Sequence, residues 1–399
     1  MAYETKRLPG TINKAYKFQL RPNKEQQGLL AKAFGCARFV YNYFLNLSID
    51  TYQKTKKGQS YEDQAKLLVV LKKNPEYEWL KEVPSQTLQQ SLINLRTAYT
   101  NFFKKRAKFP KFKKKHNKQS IRFPQGFKVE GDFVYFPKIG WVSVNFHRPI
   151  EGKIKSLTVS KTKTGEYLIS FVCEVKDPKP EYCGGEIGID VGLKTFAVTS
   201  DGEFFNKPHY LKKAETSLAY WQRRMARRQR GSTGYEKAKV KVAKLHKKVA
   251  NQRSDYQHKL SRYLVENNGA IYLEDLNVKG MVKNHKLAKS ISDAAWGQFT
   301  RYLAYKGEWY GCRVEKIDRF APSSKLCSIC GFKNDELTLN DREWVWPECG
   351  TRHDRDYNAA VNILAFARAG TALDNAGGVG VSLANSGKSA LKPEAPIFR

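Results

Sequence analysis

Apolar and polar residues alternate over 15–20, the period of a half-buried strand. Arg21-Pro22-Asn23 breaks that run, and Asn23 stands where a helix N-cap belongs. From Leu30 the apolar residues fall at Phe34, Ala37, Val40, Tyr41, Phe44 and Leu45, three and four apart, which predicts a helix. A second helix is predicted over 62–73, ended by Pro75. A third follows Pro84, with Ser85 as its cap and Leu88, Leu92, Leu95, Tyr99 and Phe102 on one stripe. Residues 22–105 therefore read as helical. The period then returns to two, predicting strands over 133–136, 141–144, 154–160 and 167–175, with turns at Gly140 and Thr164-Gly165. A strand before the helices and more after them suits a β-barrel with a helical insertion.

Pro178, Pro180 and Gly184-Gly185 mark a boundary. Beyond it strands are predicted over 186–190, 195–199 and 203–205, the last two joined by Asp201-Gly202. Residues 211–265 read as two long basic helices interrupted near 231–234. A buried strand follows over 269–276, then a helix over 292–309, a cysteine cluster over 327–349 and a last helix over 356–368. The tail from 370 is rich in Gly, Ala and Ser and reads as a mobile segment. The fold class expected is multidomain α+β.

Composition sharpens this picture. Hydrophobic residues make up 41% of the 399, enough for real cores. No apolar run approaches the length of a membrane span, and the first ten residues have no signal-peptide centre, so an intracellular protein is expected. The formal charge of +33 calls for a polyanionic partner, and nucleic acid is the natural one. The aromatic residues lie among the basic ones along the whole chain, unlike an amphipathic membrane anchor. In the basic run 104–118, Phe109 and Phe112 lie beside Lys111 and Lys113, so that bases could stack while lysines track phosphates. Arg223, Arg224, Arg227, Arg228, Lys241, Lys244 and Lys248 give the long helices a positive face, and Trp221, Val242, Leu245 and Val249 give them a buried one. Of the seven cysteines, Cys36, Cys173, Cys183 and Cys312 are isolated and read as buried thiols.

Three segments carry candidate chemistry. Gly188-Ile189-Asp190-Val191-Gly192 puts a carboxylate in an apolar strand, where an unpaired charge is expensive. Leu273-Glu274-Asp275-Leu276-Asn277 ends a second apolar strand in the same way. His353-Asp354-Arg355-Asp356-Tyr357-Asn358-Ala359-Ala360 opens a helix whose alanines permit close packing on a sheet. Together they place carboxylates on the first strand, the fourth strand and the final helix of an α/β sheet, which suits an RNase-H-like fold. Such a cluster fits metal-dependent phosphodiester hydrolysis, in which carboxylates hold Mg²⁺ ions about 3.5–4 Å apart.

These motifs, in this order and with Pro322-Ser-Ser-Lys-x-Cys327-x-x-Cys330-Gly between the second and third, resemble the transposon-associated TnpB family, relatives of the type V CRISPR effectors. The resemblance extends to Ala37–Asn42 and Phe109–Phe112, and so over the chain to about residue 370. It implies an RNA-guided DNA endonuclease that cuts double-stranded DNA beside a short flanking motif. Its partners would be a guide RNA from the transposon end and the target DNA, with no membrane and a monomer as the working state. Asp190, Glu274 and Asp356 match the family's catalytic positions and would hold Mg²⁺ or Mn²⁺. Asp356 is preferred to Asp354 because it matches the family's Asp-x-Asn-Ala-Ala. Family positions meeting the flanking duplex fall near Tyr61, Ser85, Gln86 and Gln89. The implied domains are a wedge β-barrel (1–21 and 119–183), a helical recognition domain (22–118), a RuvC-like nuclease domain (184–320 and 353–369), a zinc-ribbon-like insertion (321–352) and the tail (370–399). The implied setting is a prokaryotic cytoplasm, with the protein associated with the nucleoid on DNA, and an element that moves by transposition and DNA recombination.

The ribbon departs from the family. Cys327 and Cys330 form one CxxC pair, but the second reads Trp346-Pro347-Glu348-Cys349. Three thiolates remain where tetrahedral Zn²⁺ takes four ligands, so weak or absent zinc binding is expected. His353, four residues after Cys349, offers a fourth ligand in principle but adjoins the catalytic segment. The alternative functional readings are RNA-guided DNA binding or repression with little cleavage, favoured by Trp346, and a guide-free transposase or resolvase using the same metal chemistry.

Overall fold

A computed structural model describes residues 10–116, 118–177, 184–337 and 341–376, with side chains as far as 370. The chain divides into two compact units at residues 177 and 178. That is the boundary that Pro178 and Pro180 predict. Both prolines and Cys183 lie outside the described residues, as does the tail beyond 376.

The first unit begins with β1 (Thr11–Arg21) and then α1 (Lys24–Thr55). Asn23 caps α1 as expected: its side chain accepts from Gln26 N at 2.8 Å, and the Gln26 side chain accepts from Asn23 N at 3.0 Å. Two further helices follow, α2 (Tyr61–Leu71) and α3 (Ser85–Phe103), separated by a 3₁₀ segment, Pro75–Glu82. Ser85 is not the cap of α3. Pro84 takes that position, and the Ser85 hydroxyl accepts from Lys72 Nζ at 2.7 Å instead.

The strands of this unit are β2 (Gln119–Phe123), β3 (Lys128–Glu130), β4 (Phe133–Phe136), β5 (Gly140–Asn145), β6 (Lys153–Lys161) and β7 (Tyr167–Lys176). With β1 they form one antiparallel seven-stranded sheet in the order β2-β6-β7-β1-β5-β4-β3. Strand β1 therefore sits mid-sheet, so the helices are an insertion between β1 and the rest. The sheet is not closed by hydrogen bonds, because β2 and β3 are its edges. It curls, however: Phe123 of edge strand β2 meets Phe136 of β4 at 5.0 Å between ring centroids. The expected barrel is thus a curled sheet, with Phe18, Phe123, Phe136 and Phe171 buried in it.

The second unit contains β8 (Glu186–Asp190), β9 (Thr195–Thr199), β10 (Phe204–Asn206), α4 (Tyr210–Ala226), α5 (Thr233–Asn267) and β11 (Ala270–Glu274). After these come α6 (Val278–Met281), α7 (Ala288–Ala294), α8 (Trp296–Tyr310), β12 (Arg313–Ile317), β13 (Glu343–Val345), β14 (Arg352–Asp354) and α9 (Arg355–Ala376). The helix predicted over 292–309 is interrupted at Ala295, whose left-handed backbone (φ 53°) separates α7 from α8. The last helix runs past the expected end to Ala376, so the tail's first residues are helical.

Five strands form a sheet in the order β10-β9-β8-β11-β12. β8, β9 and β10 are antiparallel neighbours, whereas β11 runs parallel to both β8 and β12. Period two sorts the side chains between two cores. Ile187, Ile189, Ile271 and Leu273 join Leu260, Leu264, Phe299 and Leu303 of α5 and α8 on one face. Ala270 and Tyr272 join Ile363 and Ala367 of α9 on the other. A mixed α/β architecture results, and among the described residues no helix is long and apolar enough to cross a membrane.

Candidate functional site

Asp190 ends β8 and Glu274 ends β11. These strands are parallel neighbours with Ile189 beside Leu273, so both carboxylates leave the same edge of the sheet. Asp356 reaches that edge from the first turn of α9, and close packing of helix on strand brings it there. A Cβ on Gly188 would stand 2.2 Å from the Ala360 carbonyl oxygen and 2.7 Å from Leu364 N, so only glycine allows α9 so near. Ala359 and Ala360 are buried at that contact, as their small size predicts.

The charges are coupled. Asp190 keeps some surface open but is deeply set. Burial first, then the Glu274 and Asp356 carboxylates, push its pKa well above the usual carboxylate range, while Arg355 and the Val191 N–H pull it down. Asp356 is buried and takes two guanidiniums, Arg342 Nη1 at 2.9 Å and Arg355 Nη2 at 3.2 Å. Glu274 accepts from the Ser323 hydroxyl. Neighbouring Asp275 is engaged elsewhere, by Lys316 and Arg319, which hold its pKa below the ordinary value. Asp354 is likewise occupied: its side chain accepts from Tyr357 N at 3.0 Å and caps the start of α9.

The cysteine segment docks on α9 through two buried asparagines. Asn358 donates to Leu326 O at 2.7 Å and accepts from Ser328 N at 2.9 Å. Asn362 donates to Ser323 O at 2.7 Å and Leu326 O at 2.6 Å. Among the described residues, the group of three metal-ligating side chains whose donor atoms all lie within 4.8 Å of one another is Cys327, Cys330 and Cys349. Burial pushes the Cys327 thiol up to about 11, whereas hydrogen bonding with Thr351 draws Cys349 down to about 7. Trp346 is fully buried beside them, and His353 Nε2 lies 3.5 Å from Cys327 Sγ. Burial holds the His353 imidazole toward its neutral form.

The other anticipated residues lie outside β8, β11 and α9. Tyr61 begins α2, while Gln86 and Gln89 lie on the first turns of α3, Gln89 exposed and Gln86 half-buried. Lys111 is exposed. Lys113 is not a free cation: its Nζ lies 3.9 Å from the Tyr41 ring centroid, and its backbone exchanges hydrogen bonds of 2.8 and 2.9 Å with Asn42. Arg223 and Arg224 on α4 and Arg227 and Arg228 just past its end are exposed, and with Tyr220 they line an open cleft. Trp221 stacks beneath Arg224 and Lys241, fixing α4 to α5 on this basic face. Arg342, Arg355, Ser323, Asn358 and Asn362 escaped the sequence reading. The available signals were motif positions: Arg355 and Asn358 lie inside the motif that carries Asp356, and Ser323 lies in the one that opens the cysteine segment.

Three family models match the chain: "Probable transposase" over 170–285, "Cas12f1-like, TNB domain" over 296–363 and "Helix-turn-helix domain" over 12–57. A Streptomyces pristinaespiralis protein named "Putative RNA-guided DNA endonuclease" is 36% identical over 388 residues, covering 96% of each chain. InsQ of Escherichia coli K12, named in the same words, is 35% identical over 373 residues, covering 89% of this chain and 92% of its own. Among solved structures, the mini-RNA-guided endonuclease CRISPR-Cas phi3 superposes with a TM-score of 0.51, covering 90% of this chain and 92% of that one. At 9% identity, the likeness is one of fold.

Proposed function

Because this chain belongs to the TnpB family, with relatives more than a third identical along nearly its whole length, we propose that it is an RNA-guided endonuclease that cuts double-stranded DNA beside a short flanking motif. The observation that carries the nuclease reading is Asp190, set deep beside two further carboxylates contributed by β11 and α9. The sheet order, with three antiparallel strands followed by two parallel ones, supports assigning the second unit to the RNase-H-like, RuvC class. The curled sheet with its helical insertion supports reading the first unit as the wedge and recognition domains that hold guide RNA and read the flanking motif.

Asp190, Glu274 and Asp356 offer the hard oxygen donors that Mg²⁺ or Mn²⁺ takes. Bound there, divalent ions would supply an activated water and charge neutralisation at the phosphate. The protein's own part is positional. Parallel β8 and β11 fix two carboxylates, the Gly188–Ala360 contact fixes the third, and Ser323 orients Glu274. Arg342 and Arg355 balance charge at Asp356, and their guanidiniums are the kind of positive partner that a phosphodiester needs. Sequence specificity is delegated to the guide. The exposed arginines of α4 suit the sugar–phosphate backbone.

The test is cleavage of a plasmid library with randomised flanking sequence, using protein expressed with the element's downstream RNA and supplied with Mg²⁺. Guide-dependent cutting beside one enriched motif is expected. Asp190→Ala should abolish cutting and leave guided binding intact. Cutting that persists in Asp190→Ala would remove the catalytic assignment, and cutting without RNA would favour the guide-free transposase. The intact carboxylate trio counts against a binding protein that does not cut.

A further inference from the structure

The cysteine segment is built from two equivalent turns. In the first, Gly331 N donates to Cys327 O at 3.0 Å and Cys327 N to Phe332 O at 2.9 Å. In the second, Gly350 N donates to Trp346 O at 2.8 Å and Trp346 N to Thr351 O at 2.9 Å. Each turn closes on a glycine with positive φ, 75° at Gly331 and 66° at Gly350. Trp346 therefore occupies the place in its turn that Cys327 holds in the other. Its side chain is fully buried, edge-on to the rings of Phe332 and His353. A ligand position has become a wall.

The strands beyond the second turn offer a replacement. In the β13–β14 pair His353 lies opposite Trp344, and its side chain is buried. Its Nε2 stands 3.5 Å from Cys327 Sγ, which is itself 3.7 Å from Cys349 Sγ. With Zn–S bonds of about 2.3 Å and a Zn–N bond of about 2.0 Å, the edges of a tetrahedral site are about 3.8 Å between sulfurs and about 3.5 Å from sulfur to nitrogen. Both observed distances match edges of that figure; the imidazole lies outside the 4.8 Å group that the three sulfurs form, so its ring must close toward Cys330 and Cys349 to complete the tetrahedron. The chemistry of the donor set, three thiols and one imidazole, is also a standard one for structural zinc.

We propose that Cys327, Cys330, Cys349 and His353 hold one structural zinc ion, His353 supplying the ligand that position 346 has lost. The site would then do more than fold a small module. His353 lies three residues before Asp356, and Asp354 between them caps α9. An ion on His353 anchors the strand that delivers Asp356 to the sheet edge.

The test uses the full-length protein purified without chelators. Elemental analysis should give about one zinc per chain. X-ray absorption should show three sulfurs at about 2.3 Å and one nitrogen at about 2.0 Å, with the outer-shell scattering of an imidazole. His353→Ala should lose zinc to a competing chelator at least about tenfold more readily. The double variant Trp346→Cys, His353→Ala should regain the zinc, now with four sulfurs. Zinc-free wild-type protein, or an absorption spectrum without the imidazole signature, would overturn the proposal. So would wild-type zinc affinity in His353→Ala. The wild-type spectrum decides the matter even if His353→Ala fails to fold.

Discussion

At the scale of single residues, Lys306 is a cation buried by its neighbours. It lies on α8 and donates to the His258 carbonyl and the Ser261 hydroxyl. Desolvation first, then the charge of Arg262, lower its pKa to about 8 from the ordinary 10.5. The unfolded chain therefore holds more protons between those values, and folding stability should rise as pH climbs from about 8 toward 10.5. Buried thiols such as Cys36, Cys173 and Cys312, pushed up to about 11, act in the opposite sense over the same range, so the lysine is read as a difference: denaturant midpoints over pH 7.5–10 should change more favourably with rising pH in the wild type than in Lys306→Met. Residues of this kind are hard to read from sequence, because a lysine on a helix looks solvated until a neighbouring helix covers it. Asp190, Glu274 and Asp356 were legible for the opposite reason. A charge ending an apolar strand, or opening a helix before two alanines, is out of place unless it has work to do. Arg342 sits in a polar loop and the Asn362 amide on a helix, so neither carries such a mark. Their roles appear only once α9 and the cysteine segment meet.

Among the elements, the contact between β8 and α9 decides the site. Gly188 has no room for a Cβ against the backbone of Ala360 and Leu364. Gly188→Ala should cost about 1–3 kcal/mol of stability through overpacking, read as a lowered thermal midpoint. It should also reduce cleavage beyond the loss explained by unfolding, because α9 carries Asp356. Cleavage assayed well below the midpoint separates the two effects, and unchanged cleavage there would show that the contact does not position Asp356. Periodicity located most elements: α1, the β6–β7 pair, α5 and β11 lie close to where the pattern of apolar residues puts them. It missed β12, whose Arg-Val-Glu-Lys-Ile is largely charged because the strand borders the sheet with only one neighbour. It also ran α7 and α8 together. Apolar spacing continues across Ala295, and a single left-handed alanine leaves no trace in composition. The curl of the first sheet depends on pairing between distant strands, which no local pattern encodes.

For the molecule as a whole, the charge of +33 makes ionic strength the most informative variable. Binding of guide RNA should weaken steeply with salt, as counterions released from phosphates set the slope. Arg223→Ala and Arg227→Ala should each lower the slope of log affinity against log salt by about one, with little effect on which sequence is bound. Filter binding across a salt series checks this, and an unchanged slope would take α4 out of the nucleic-acid contact.

The order of the catalytic elements along the chain has its own consequence. The first unit ends at residue 177, before any of the three carboxylates has been translated. Asp190 and Glu274 then wait on β8 and β11 for α9, the last element of the described chain. Domains fold in order as they leave the ribosome. A nascent or prematurely terminated product can therefore own a complete first unit and no nuclease. On the proposed reading of the first unit as the guide-binding part, such fragments would compete with the finished enzyme for guide RNA, and translation that stops short of α9 would yield an inhibitor in place of an active cutter.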